Sequence, residues 1–182
     1  MDELLDILDA NGNPTGTTVM KSKAHRDGLF HATVHIWFYT SDGNLLLQQR
    51  GKNKDTYPLL WDVSVAGHVG ASEKIEASAI REIEEEIGLT VQLENLQKIG
   101  VFKSEQRHHE HLVDREFHHT FLCELKLPLS KLKKQESEVE NLRLINLIDL
   151  ERDIQKNATV QKYVPHNTSY YQDVIKAIKE KL

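Results

Sequence analysis

Three carboxylates, Glu82, Glu85 and Glu86, lie at spacings of three and four in the stretch GHVGASEKIEASAIREIEEEIGL, residues 67–89. On a helix these intervals bring side chains to one face. The arrangement is unfavourable by itself, because like charges so placed repel by ~0.2–0.5 kcal/mol per pair. They also fall in the last turns before Gly88, a predicted helix stop, where the helix dipole disfavours anions. A divalent cation relieves both problems. Carboxylates are hard oxygen ligands suited to Mg²⁺ or Mn²⁺ rather than zinc, and such ions act on phosphates by neutralising charge and activating water. Taken alone, the triplet also reads as a solvated acidic helix face.

The elements that must position these groups are legible in outline. Residues 4–9 read as a strand closed by the turn Asn11-Gly12-Asn13-Pro14, and 17–25 as a short helix ending near Gly28. The β-branched and aromatic run 31–40 and the segment 45–50 form a predicted hairpin about Asp42-Gly43-Asn44. Residues 61–69 read as a strand entering a loop. The helix that follows has Ser72 as its expected N-cap, Glu73 and Glu76 near its first turn, and an apolar stripe of Ala79, Ile80, Ile83 and Ile87. Two longer strands, 96–106 and 113–125, flank a histidine-rich turn. A strand at 139–147, a helix at 148–156 and an amphipathic helix at 168–181 complete the chain. Without regular βαβ alternation, a mixed sheet between helices is expected. With 182 residues, no linker and no repeat, the chain reads as one domain over 1–182.

The net charge of −5 implies no general grip on nucleic acid, so a polyanionic substrate must be held by local cations or metal. The single cysteine, Cys123, excludes an intramolecular disulfide and fits a reducing compartment. No segment is long and apolar enough to span a membrane, and the acidic N-terminus is no secretory signal. A cytoplasmic location is the expectation. The oligomeric state is left open, a homodimer among the states allowed.

Gly67, then five residues, Glu73, then seven residues, then Arg81-Glu82-Ile83-Glu84-Glu85-Glu86-Ile87-Gly88-Leu89 matches the Nudix box at every fixed position. The chain therefore resembles a Nudix hydrolase. The resemblance implies an α/β/α sandwich with a mixed β-sheet, and hydrolysis of a pyrophosphate linkage in a nucleoside diphosphate derivative or another small organic diphosphate. It makes Glu82 and Glu86 the principal metal ligands and Glu85 a ligand or the water-activating base. Arg81 would orient the carboxylates, Gly67 would let its backbone approach the metal, and Glu73 would support the loop–helix junction.

From Lys21 to Glu116 the chain is also similar to the branch of that family containing isopentenyl-diphosphate isomerase. The likeness rests on Lys21, His25 and His31 in KSKAHRDGLFH, on the segment LLLQQRGKNKDTYPLLWDVSVAGH, and on Asp114-Arg115-Glu116. It implies diphosphate-binding roles for Arg50, Lys54 and Lys21, a metal role for Glu116, and a second metal site built from His25, His31, His68 and Asp114. The histidines also read as metal-free framework residues or phosphate contacts. One departure separates the chain from the isomerase: Ala66 stands where its catalytic cysteine precedes the Gly-His pair, and alanine cannot move a proton to or from carbon. Cys123 reads as a buried small hydrophobe. A hydrolase is the leading expectation, with an isomerase using a displaced acid/base and a non-catalytic metabolite-binding module as rivals. His108, His109 and His111 read as exposed loop residues, while Glu116 and His118 share one strand face. Trp37 reads as core, Trp61 as packing beside the box, and Tyr163, Tyr170 and Tyr171 as structural cover.

Overall fold

The computed structural model describes residues 2–156 and 161–182. Among these residues the strands are β1 (Leu4–Leu8), β2 (Pro14–Met20), β3 (Phe30–Tyr39), β4 (Asn44–Arg50), β5 (Trp61–Asp62), β6 (Val65–His68), β7 (Gln97–His109), β8 (Leu112–Glu124) and β9 (Val139–Asn146). The α-helices are α1 (Lys21–Asp27), α2 (Ile75–Ile87), α3 (Leu147–Gln155) and α4 (Thr168–Lys179).

β3 is the hub, because its run of β-branched and aromatic residues suits a strand covered on both faces. Along one edge it meets β1, then β6, then β4, all antiparallel; along the other it runs parallel to β8. The sheet is thus mixed. Alternate side chains of β3 feed two cores. Val34, Ile36 and Phe38 pack with Ala79, Ile83 and Ile87 of α2. Trp37 packs with Leu147 and Leu150 of α3 and with Tyr170, Val174 and Ile178 of α4. Helices on both faces make the α/β/α sandwich expected of the sequence. Cys123 is buried on the α2 side, where burial pushes its thiol up to about 11.

The apolar stripe of α2 is as the spacing predicts, and the helix stops at Gly88 in the left-handed conformation (φ 65°). Its start is not. Ser72 is no cap: the helix begins at Ile75 after Lys74, with no side-chain capping bond. Ser72 is itself left-handed, and its N–H donates to Asp6 Oδ2 (2.7 Å), spending the residue on the preceding loop.

The expected helix at 17–25 is also corrected. Residues 14–20 form the edge strand β2 on β1, and α1 begins only at Lys21. Thr17, Thr18 and Val19 are β-branched, and β1 offers them a partner. The predicted strand 61–69 divides into β5 on β4 and β6 on β3. Histidines 108 and 109 belong to the end of β7, not to a loop. β3 and β4 form a hairpin paired at Tyr39 and Leu45, beyond which β4 leaves to join β5 and β9.

Candidate active site and metal centre

One cavity of about 550 Å³ opens between α2, the loop after β4, and strands β3, β6 and β8. It is bordered by Glu82, Glu85, Glu86, Arg81 and Gly67 from the box, by His25, His68, Asp114 and Glu116, and by Lys21, Arg50 and Lys54. All but one of the sequence-predicted site residues therefore border a single space; the exception, His31, lies fully buried directly behind it.

The carboxylate edge comes from the last turns of α2. Glu82 and Glu86 are buried, while the Glu85 side chain is 49% exposed. Glu86 Oε2 accepts from Gln48 Nε2 (3.0 Å) and from the Ala66 N–H (3.2 Å). Arg81 ties the rest together. Its Nη1 donates to Glu82 Oε1 (2.8 Å) and Glu85 Oε2 (3.2 Å). Its Nε and Nη2 grip both oxygens of Glu73 (3.0 Å each), and Nη2 also donates to the His68 carbonyl (3.1 Å). Glu73 in turn accepts from the Gly70 N–H (3.1 Å), which fixes the loop before α2.

Burial raises the Glu82 carboxyl against the pull of Arg81. Burial and the charge of Glu82 push Glu86 up to about 8. These groups and Glu73 hold more negative charge than the Arg81 guanidinium they share balances. A β-carbon at Gly67 would overlap the Glu82 carboxyl, so the strand backbone and carboxylate approach as closely as they do only because residue 67 lacks one. Crowded hard oxygen donors short of countercharge fit a divalent cation.

A second donor set lies across the cavity. His25 from α1, His31 from β3, His68 from β6 and Glu116 from β8 place one ligand atom each within 4.8 Å of the others. The parallel register sets His31 opposite Glu116, with Nε2 and Oε1 3.5 Å apart. His25 and His68 face each other through Nε2 atoms 3.3 Å apart, and His68 Nε2 is 3.7 Å from Glu116. His31 Nε2 is buried without a well-formed hydrogen bond. An orphaned imidazole nitrogen aimed at two other imidazoles and a carboxylate also fits a metal ion.

Charge is better matched in this set. Although burial opposes its imidazolium, Glu116 raises His31; although burial opposes its charge, Glu116 is held well below the usual carboxylate range by His31, His118 and His68. Burial keeps His68 well below the ordinary imidazole value and lowers His25.

The fourth member is Glu116, one of the two acids, Asp114 and Glu116, between which the sequence left the choice open. Asp114 bonds instead to His108 Nε2 (2.8 Å), with His25 Nδ1 3.8 Å away. The expectation that His108 is exposed is corrected accordingly, since it is half-buried against Tyr57 and Asp114. The three cations each have an acidic partner: Arg50 Nη1 donates to Asp62 Oδ2 (3.1 Å), Lys54 pairs with Glu138, and Lys21 lies 3.4 Å from Glu3. Trp61 lies beneath the Arg143 guanidinium on the α4 side, away from the box.

The floor of the cavity carries residues the sequence did not single out. Thr33, His35, Asp62 and His166 meet there with His118. His35 and His118 stack with ring centroids 4.0 Å apart. His35 Nδ1 pairs with Tyr170 Oη (2.7 Å), and His118 Nδ1 with Thr33 Oγ1 (2.8 Å). Burial lowers both, His118 to about 4. His166 Nε2 lies 2.7 Å from Asp62 Oδ1. Partners 104 residues apart leave no local signal in a sequence.

The NUDIX domain matches residues 29–166. Nudix hydrolase 3 of Arabidopsis thaliana is 32% identical over 92% of this chain, which spans only 22% of that protein's length. An uncharacterized Nudix hydrolase of Clostridium acetobutylicum is 30% identical over 98% of both chains. Isopentenyl-diphosphate Delta-isomerase 2 of Photorhabdus laumondii is 32% identical over 82% of this chain and 81% of its own. Among solved structures, DR0079 of Deinococcus radiodurans superposes with a TM-score of 0.66 over 85% of this chain and 90% of its own; at 18% identity it speaks to the fold alone. Among the described residues no helix is long and apolar enough to cross a membrane.

Proposed function

The chain belongs to the Nudix hydrolase family, and on that premise we propose that residues 1–182 act as a single domain that hydrolyses a pyrophosphate linkage with Mg²⁺ or Mn²⁺. The substrate is a nucleoside diphosphate derivative or another small organic diphosphate. The observation that carries this reading is the buried Glu82–Glu86 pair, set against Gly67 and short of countercharge. Glu82 and Glu86 hold the cation, with Glu85 at the mouth. When bound, it neutralises the diphosphate and makes the attacking water more acidic. Arg81 keeps the carboxylates in place, and Arg50, Lys54 and Lys21 face the phosphates from the rim.

His25, His31, His68 and Glu116 hold a second ion. Their imidazole donors favour a transition metal over Mg²⁺. A metal-dependent screen over nucleoside diphosphate derivatives, dinucleoside polyphosphates and prenyl diphosphates tests the proposal. Release of phosphate-bearing products that fails in Glu82→Gln and Glu86→Gln supports it, and full activity in both variants overturns it.

The isomerase reading is supported by 32–34% identity to proteins of that name. Against it, Ala66 borders the cavity where the acid/base is needed, and Cys123 lies in the α2 core. Solvent deuterium entering isopentenyl diphosphate without phosphate release would restore it.

A further inference from the structure

The box leaves its own reaction short of a proton acceptor. Glu82 and Glu86 are committed to the cation, and Glu85 is half-exposed and bonded to Arg81. Resting on the hydrolytic reading above, we propose that His166, oriented by Asp62, is the general base that takes the proton of the attacking water.

Asp62 is 4% exposed and fully engaged: Oδ1 faces His166 Nε2 (2.7 Å) and accepts from the Val63 N–H (2.8 Å), and Oδ2 accepts from Arg50 (3.1 Å). Burial opposes its charge, yet His166 and Arg50 outweigh burial and hold the carboxyl well below its ordinary range. An ionised carboxylate on Nε2 keeps the proton on that nitrogen and leaves the lone pair on Nδ1. Among the described residues His166 Nδ1 has no hydrogen-bond partner, and the residue borders the cavity.

The dyad is also close to the box. Asp62 on β5 is the register partner of Gln48 on β4, whose amide donates to Glu86. The groups facing His166 are Asp62, Arg50 through Asp62, His35, His118, Tyr170 and Tyr171. His35 and His118 are the weaker acceptors, since each rests on a hydroxyl through Nδ1 and burial lowers both imidazoles. In the step itself the water oxygen forms a bond to phosphorus while its proton passes to His166 Nδ1. The bridging P–O bond breaks, its electron pair stays on the departing phosphate oxygen, and His166 later returns the proton to solvent.

The test has two arms. In ¹⁵N spectra of the wild-type histidine rings, assigned by through-bond correlation to the backbone, His166 should carry its proton on Nε2, and Asp62→Asn should disturb that state. In hydrolysis of ADP-ribose, or of whichever diphosphate the screen finds fastest, His166→Gln should lower kcat ~10²- to 10³-fold with little change in KM and should abolish the acidic limb of the kcat–pH profile. Melting temperatures measured alongside identify loss by unfolding, and the ring spectrum of the wild type needs no variant to fold. A proton on Nδ1, an unchanged kcat and limb in His166→Gln, or an effect confined to KM overturns the proposal. Wild-type inactivity toward every diphosphate overturns the hydrolytic reading and this one with it; an active wild type with an unaltered His166→Gln overturns this one alone.

Discussion

Glu82 and Glu86 on α2 are buried carboxyls that crowd each other, whereas His25, His31 and His68 gather around Glu116, which pairs with His31. The two donor sets share a cavity and differ in how charge is settled. On the carboxylate edge burial raises both acids, so the doubly charged pair is disfavoured until a cation is bound. On the histidine side the His31–Glu116 pair is favourable by itself, and the neighbouring imidazoles are kept neutral by burial. One region is thus built at a cost that only a cation refunds, while the other serves the fold with or without one.

The largest test of that contrast is Glu86→Gln or Glu82→Gln. Each should reduce turnover by more than the ~10- to 100-fold typical of losing an outer partner of a metal ligand. Each should leave the melting temperature of the chelator-treated protein unchanged or higher, because repulsion is removed. Steady-state rates and calorimetric melts read the two effects together.

Glu116→Gln should behave in the opposite way. It leaves His31 without its partner in a buried site, so the apoprotein should lose ~3 kcal/mol in urea titration at neutral pH. A neutral result there would show that the pairing of charge is not what distinguishes the two sides.

Gly67→Ala should fall between these. The added methyl displaces the Glu82 carboxyl, and we expect a ~10- to 100-fold loss of activity with near-normal folding, read from rates and far-UV spectra.

Asp62 supplies a pH-dependent comparison. Its carboxyl is lower in the folded chain than its ordinary value, so its contribution is present above about pH 4 and disappears as pH falls through the folded value. The stability gap between wild type and Asp62→Asn should therefore be widest near neutrality and narrow in acid, as followed by urea titrations from pH 7 to pH 2.5. The smallest effect is expected of Lys54→Ala, whose charge already rests on Glu138: at most ~1 kcal/mol of stability, with a modest rise in KM.

The box was readable because its chemistry is local. A helix period, a glycine stop and fixed intervals place Glu82, Glu86 and Arg81 together whatever the rest of the chain does. The histidine cluster was readable only in part. His25, His31 and His68 stand out by type, but choosing Glu116 over Asp114 requires the parallel register of β3 on β8. That register is a tertiary fact which no single strand encodes. Ser72 misled because a residue with good capping chemistry was captured by Asp6, 66 positions away. β2 was missed because the pull of Thr17, Thr18 and Val19 toward a strand is realised only once β1 lies beside them. The Asp62–His166 pairing had no signal: Asp62 lies within the quoted segment 45–68, but nothing there points to His166, and only β5 and the segment before α4 bring the two together.

The most direct test of the central claim is Mn²⁺ binding measured by electron paramagnetic resonance on the wild type and on the Glu82→Gln/Glu86→Gln double variant, with histidine-side occupancy followed in His68→Gln. The double variant should lose the Mn²⁺ held by α2 and all diphosphate cleavage while the histidine-side ion stays. Unchanged Mn²⁺ stoichiometry and undiminished cleavage in the double variant would contradict it.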